Sequence, residues 1–228
     1  MASKEFSSER GATVSPPSAT RQEARRLELI AVVAIVGQAL FAATALLLPL
    51  VSEYSLTADY ISELAIGRFG FVQTIAFLAF GLASLALAAG IRRATRGSWG
   101  SLVGSVLFGL LGVGALVDAF FPIDEGRNPQ QTMVGTVHIL AGILAFVCAV
   151  LGMFVLTRTF KRDVRWQSYW VLSLVLALGA LVAFFLPSGQ WPGIVQRIFL
   201  GVGIAWMILA ALRLRSIAGV PRSKTPPG

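Results

Sequence analysis

Cysteine and histidine are nearly missing from this chain of 228 residues, where Cys148 and His138 are the only ones. A single thiol excludes a disulfide framework, a paired redox motif and a thiolate metal site, and Cys148, in the middle of an apolar run, reads as packing. A single imidazole excludes bis-histidine haem ligation and the zinc motifs HxxxH and HExxH. A GxSxG elbow and a Walker loop are also absent, and GLLGVGAL at 109–116 follows no strand, which makes it a packing pattern rather than a dinucleotide fingerprint. No cofactor is expected. Charge is sparse too: Asp, Glu, Lys and Arg make up 13% of the residues, about half of what a soluble domain carries.

Apolar residues fill the chain instead, at 56% of the total with a mean hydropathy of +0.76. A bilayer core about 30 Å thick takes about 20 apolar residues per helical span. Six segments meet that length: 27–50, 69–91, 100–121, 133–157, 166–186 and 192–212. The expected fold is therefore all-α, a polytopic membrane protein of six transmembrane helices packed as three hairpins. The first span follows 26 polar residues, is too long for a signal-peptide core and lacks a small-x-small cleavage site, so it is expected to be retained. Residues 1–26, rich in Ser, Pro and charge, read as a disordered cytoplasmic tail; residues 27–213 form the membrane domain and 214–228 a second such tail.

The net charge of +8 invites a nucleic-acid reading, and the placement of the charges argues against it. Sixteen of the nineteen basic residues precede span one or follow spans two, four and six. By the positive-inside rule that side is cytoplasmic, which puts both termini inside a cell membrane and the connections after spans one, three and five outside. No basic segment forms an aromatic-interleaved domain, so the expected partners are membrane lipids and, as a second class, another membrane protein, with no nucleic acid. Trp99, Trp166 and Trp170 fall near the inner interface and Trp191 near the outer one, as anchoring rings should.

Small residues suggest which helices touch, because lipid supplies no hydrophobic drive for helix association and close backbone approach must supply contact. Gly100 and Gly104 in span three and Ala141, Ala145 and Ala149 in span four predict a tight hairpin. Gln38 in span one reads as an interhelical hydrogen-bond donor. GALVDAFFP at 114–122 echoes GALVAFFLP at 179–187, an internal repeat that would make Asp118 and His138 polar additions to a plain hairpin.

Six of the eleven carboxylates, Glu53, Asp59, Glu63, Asp118, Asp124 and Glu125, are expected on the outer face. In YSLTADYISELAIG, Asp59, Ser62 and Glu63 stand at i, i+3 and i+4, where a short helix would present them together, with Tyr54 and Ser55 nearby. Asp124 and Glu125 follow in the second outer connection, and read first as solvated loop charges. Asp118, in the last turn of span three, needs a partner, since a carboxylate at the centre of a membrane helix is disfavoured by about 2.5 to 3.5 kcal/mol, less so near the interface. His138 lies about 7 Å into span four at 1.5 Å per residue, and Arg197 reaches a similar depth in span six. Asp118, His138 and Arg197 are expected to share one outer-leaflet pocket, either as a structural ion pair and helix tie or as a functional site. Whether the outer carboxylates and the imidazole hold a metal is open at this level, because the same groups suit a cation and a hydrogen-bond network.

The ordered motifs YSLTADYISELAIGRFG, DAFFPIDEG, TVHILAG and GIVQRIFLGVGIAW resemble the DUF998 family of six-span bacterial and archaeal membrane proteins, over residues 27 to 213. The matching positions are Tyr54, Ser55, Asp59, Ser62 and Glu63; Asp118, Phe121, Pro122 and Asp124; His138; and Gln196, Arg197 and Trp206. The chain departs from the family pattern at Val134, ahead of Gly135, and at Gln196, ahead of Arg197, which counts against a mechanism needing two histidines or a Glu–Arg pair. The resemblance implies the fold and the candidate residues, and no reaction. A looser similarity to the Frag1/DRAM/Sfk1 membrane proteins implies a lipid-related role.

Two functional readings follow. In the first, the outward-facing polar pocket binds a lipid head group or a membrane partner without catalysis, using Tyr54, Ser55, Asp59, Ser62, Glu63, Asp118, Asp124, His138 and Arg197. In the second, the protein is a membrane-embedded enzyme or proton-coupled carrier acting on lipid, with His138 as base, Asp118 as its orienting partner and Arg197 as anion clamp.

Overall fold

The computed structural model describes residues 18–125 and 132–220. They form six helices: α1 (Ser18–Leu47), α2 (Gly70–Ala94), α3 (Trp99–Phe120), α4 (Met133–Arg162), α5 (Trp170–Phe184) and α6 (Pro192–Ile217). Short 3-10 turns at Leu48–Val51, Ile61–Ala65 and Val164–Trp166 sit in the connections. Five of the helices are long and apolar enough to cross a membrane, and α5 is a shorter apolar helix. The protein is thus an all-α polytopic membrane protein.

The boundaries differ from expectation at both ends. Helix α1 begins at Ser18, inside the segment read as a disordered tail, and α6 runs on to Ile217. The stretch preceding the first apolar run, RQEARR, contains no helix breaker, so the helix propagates outward from its membrane-embedded part. The remaining tail expectations, for 1–17 and 221–228, lie outside the described residues. Span five shortens because Val164–Trp166 winds as a 3-10 turn, with Asp163 accepting a hydrogen bond from the Arg165 backbone N–H.

The helices pack as three hairpins, α1–α2, α3–α4 and α5–α6; α2 also packs on α3, α4 on α5 and α6 on α1, which closes a ring. Glycines set the closest approaches. A Cβ added at Gly81 would come 2.8 Å from the Gly112 carbonyl oxygen across the α2–α3 contact, and one at Gly114 would come 2.5 Å from the Ala145 Cβ across α3–α4. Gly104 is closed in the same way by Leu156, so the expected small-residue hairpin is present. Gln38 Nε2 donates to Ser84 Oγ at 3.1 Å, tying α1 to α2 as expected.

Aromatic rings fill the interior toward the end where Arg92, Arg165 and Arg213 gather, the basic end. Phe160 stacks on Trp166 at 4.2 Å and Phe108 on Trp206 at 4.8 Å; Trp206 Nε1 donates to Ser173 Oγ at 2.8 Å. Trp166 is therefore a fully buried core residue and not the interfacial anchor expected, because the 3-10 turn folds it inward onto α4. Trp99 and Trp191 are exposed, as anchors should be. Arg213 donates to the Arg165 carbonyl and Arg165 to that of Ala94, which joins the ends of α6, α4 and α2 on this side.

Substituting Gly81 or Gly114 by Leu is expected to cost about 1 to 3 kcal/mol through overpacking. Gly201→Ala, at a position with nothing within 4 Å of an added Cβ, should leave stability unchanged or raise it. Thermal unfolding of the purified protein in detergent reads both, and equal tolerance at all three positions would contradict the packing described.

Candidate functional site

At the end opposite the basic one, the connection 52–69 is irregular apart from its 3-10 turn, and its buried backbone groups must find hydrogen-bond partners within the protein. It finds them on α6. The first N–H groups of a helix have no partner inside it, and here Gly193 and Ile194 both donate to the Thr57 carbonyl, at 2.9 and 3.2 Å. The Ile61 N–H in turn donates to Gln196 Oε1 at 2.7 Å. Arg197 completes the strap: Nη1 donates to the carbonyls of Asp59 and Gly193 at 2.8 and 3.1 Å, and Nε to that of Ala45 at 3.2 Å. One guanidinium thus joins α1, the connection and α6. The approach is so close that a Cβ on Gly193 would collide with the Asp59 carbonyl oxygen.

Within the connection the acidic residues are local fasteners as well. Asp59 Oδ2 accepts from the Ser55 N–H at 2.6 Å, the Ser55 hydroxyl accepts from the N–H groups of Thr57 and Ala58, and Glu63 Oε2 accepts from the Tyr60 N–H at 2.6 Å. Asp59, Ser62 and Glu63 do not share a helix face. The 3-10 turn starts at Ile61, after Asp59, and Ser62 is buried.

Asp59 and Glu63 nonetheless line one cavity of about 620 Å³ together with Glu53, Glu125, Tyr54 and Arg68. Burial raises the Tyr54 phenol above its ordinary value, and the carboxylates of Glu125, Glu63, Asp59 and Glu53 push the same way. The phenol is therefore a neutral donor at physiological pH, and it donates to the Ile66 carbonyl at 3.2 Å. That turn is closed by Gly67, whose φ of +82° falls in the left-handed region that glycine enters without strain. Ser52, whose hydroxyl is buried without a hydrogen-bond partner among the described residues, also lines the cavity.

Asp124 has a different occupation. Its two carboxylate oxygens accept from the Thr132 N–H and hydroxyl, both at 2.7 Å, and Thr132 Oγ1 accepts from the Gly135 N–H, so Asp124 braces the start of α4. Its carboxylate occupies the space where a Cβ of Gly135 would stand, and its charge suits the positive end of the helix dipole.

Asp118 and His138 are brought together. His138 Nδ1 donates to the Phe121 carbonyl at 2.7 Å and lies 3.6 Å from Asp118 Oδ1, too long for a hydrogen bond. The Phe121 acceptor assigns the neutral ring's proton to Nδ1. Both residues are buried, and the imidazole meets the ring of Phe77 on α2 edge to face at 6.3 Å. Asp118 Oδ1 has no hydrogen-bond partner among the described residues. The expected triad with Arg197 is not assembled: among the described residues the hydrogen bonds of Arg197 end on backbone carbonyls, and none reaches Asp118 or His138.

The model of a family described as a protein of unknown function, DUF998, matches residues 35–213. The chain belongs to the DUF998 family. No curated protein and no solved structure matches it. The matched span of this DUF998 protein runs from within α1 to the last turns of α6, so it includes the strap, the cavity and the Asp118–His138 pair. Among the described residues, no group of three or more His, Cys, Asp or Glu side chains is placed to hold a metal ion. Glu53, Arg68 and Glu125 join the cavity without having been singled out as ligand residues. Glu53 and Glu125 carried the signal of outer acidic charge, whereas Arg68 carried none.

Arg197→Ala is expected to lower stability by roughly 3 kcal/mol, since hydrogen bonds from a charged donor are each worth about 1.5 to 3 kcal/mol and the connection loses its fastening. Protease sensitivity within 52–69, read beside the melting temperature, should rise. An Arg197→Ala protein as stable and as protease-resistant as wild type would refute the strap.

Proposed function

We propose that this DUF998 protein binds the head group of a membrane lipid in the acidic-end cavity, and that the lipid is one carrying an ammonium group. The supporting observation is the convergence of four carboxylates, Glu53, Asp59, Glu63 and Glu125, on one cavity that has the single guanidinium of Arg68. A cation is attracted to such a lining, and a lipid phosphate beside the ammonium finds Arg68. The volume of about 620 Å³ falls within the range of small-ligand sites. Leu48, Val51 and Phe69 border it and give acyl chains an apolar approach. The basic excess at the opposite end supports a reading in which this cavity faces outward from the cell membrane, with both termini cytoplasmic.

Orientation is checked by labelling intact cells with a membrane-impermeant maleimide: Glu125→Cys should react from outside and Arg162→Cys should not, and the opposite pattern would invert the topology. Binding is read by titrating short-chain phosphatidylethanolamine, with diacylglycerol as the uncharged control, into the purified protein. Glu53→Gln/Glu125→Gln should weaken phosphatidylethanolamine binding by about tenfold, because neither glutamate carries a hydrogen bond that holds the fold among the described residues. Unchanged binding in that variant would sink the proposal.

The second reading, a proton-handling site at Asp118 and His138, draws on the buried Asp118 Oδ1, which faces the imidazole at 3.6 Å and has no hydrogen-bond partner among the described residues. In the same titration, Asp118→Asn and His138→Ala should lower the melting temperature and leave binding intact. Loss of binding at unchanged melting temperature would favour the second reading.

A further inference from the structure

At the basic end, a second cavity of about 550 Å³ opens between the α2–α3 connection and the last turns of α4. Four guanidiniums line it, from Arg96, Arg158, Arg162 and Arg165, against one carboxylate, Asp163. That carboxylate is already engaged: Asp163 pairs with Arg165 at 3.0 Å and accepts from the Arg165 N–H at 2.9 Å. Arg165 in turn is tied to the Ala94 carbonyl. Arg96, Arg158 and Arg162 have no hydrogen bond or ion pair among the described residues, and all three are exposed at the rim. Arg158 and Arg162 stand one helical turn apart on α4, on the same face, while Arg96 approaches from the facing connection.

An orientation signal needs only that basic residues lie on one side of the membrane; it does not need them to converge on a hollow. Here they converge where α3 begins. Ser98 caps α3 by accepting from the Ser101 N–H at 3.1 Å, and Ser98 and Gly100 both line the cavity, so the free N–H groups of the first turn of α3 border the same space as the guanidiniums. Helix-start N–H groups and forked guanidiniums are the two donor types best matched to a tetrahedral phosphate. The exposed Trp99 ring beside it puts the cavity at head-group depth.

We propose that this basic-end cavity is a binding site for a phosphate-bearing anion, with Arg96, Arg158 and Arg162 as its ligands and the head group of an anionic phospholipid as its source. It does not depend on what the acidic-end cavity binds. Arg165 is a positioning residue: held by Asp163 and Ala94, it shapes the floor and adds field without a free fork.

The test titrates short-chain phosphatidylglycerol into the purified full-length protein, with phosphatidylcholine as the zwitterionic control and inorganic pyrophosphate as a soluble competitor. Wild type should bind phosphatidylglycerol in preference to phosphatidylcholine, and Arg96→Gln/Arg158→Gln/Arg162→Gln should weaken that binding by about tenfold or more. The control variant Arg25→Gln/Arg26→Gln/Arg215→Gln loses the same charge from exposed positions at this end and should bind as wild type does. Equal losses in the two triple variants would show general attraction of a basic surface and overturn the proposal, as would wild-type affinity in the cavity variant. If the cavity variant fails to insert, Arg158→Lys/Arg162→Lys keeps every charge and loses the fork. It should then bind several-fold more weakly, and unchanged binding would equally overturn the site. Displacement of the lipid by pyrophosphate at comparable concentration assigns the site to soluble phosphates, and failure of pyrophosphate to displace it assigns it to the lipid.

Discussion

Arg197 holds the acidic end of this protein together. Buried irregular backbone must find hydrogen-bond partners within the protein, and the connection after α1 finds them on α6 and through this one side chain. The guanidinium meets three carbonyls from three separate segments, and the bare N–H groups at the start of α6 meet a fourth, that of Thr57. The cavity walls descend from that fastening, because Tyr54, Asp59 and Glu63 are all carried by the strapped connection. Through Nη1 and Nε, Arg197 anchors a loop, and it is the loop that carries the Glu53, Asp59 and Glu63 carboxylates of the cavity.

The helices below follow the second membrane constraint, that association rests on close packing rather than on escape from water. Glycines at 81, 104, 112 and 114 let α2, α3 and α4 approach almost backbone to backbone. The Asp118–His138 pair sits at the mouth of the same α3–α4 contact, and a hydrogen bond runs from the imidazole to the Phe121 carbonyl at the end of α3. The pair therefore locks the top of a hairpin that glycine and alanine close below it.

The two ends are opposite in charge and similar in design. Each carries a cavity formed where a connection folds against a helix end, one lined by carboxylates around a single arginine, the other by arginines around a single aspartate. In each, some of the charged groups hold the backbone, such as Asp59, Glu63 and Asp163, and others, such as Glu53, Arg158 and Arg162, make no side-chain hydrogen bond among the described residues.

The six apolar spans, the one-sided basic residues, the α3–α4 contact and the pairing of Asp118 with His138 were legible in the order of residues, because hydropathy, charge and small-residue spacing are local and periodic. Membership of a family whose function is unknown agrees with that reading and adds no chemistry. What could not be read locally was every contact between distant segments. Arg197 lies 138 residues from Asp59 and Gln196 lies 135 from Ile61, and nothing in either neighbourhood announces the other. Trp166 looked interfacial by position and is buried because a 3-10 turn rotates it inward. Glu53 and Glu125 share a cavity although different connections carry them. The sequence by itself determined that this chain crosses a membrane repeatedly, since a bilayer reads little more than length and polarity. The tertiary structure alone decided which polar residues fasten the backbone and which line the two cavities without doing so, since that division depends on which carbonyl each side chain meets once the helices have closed.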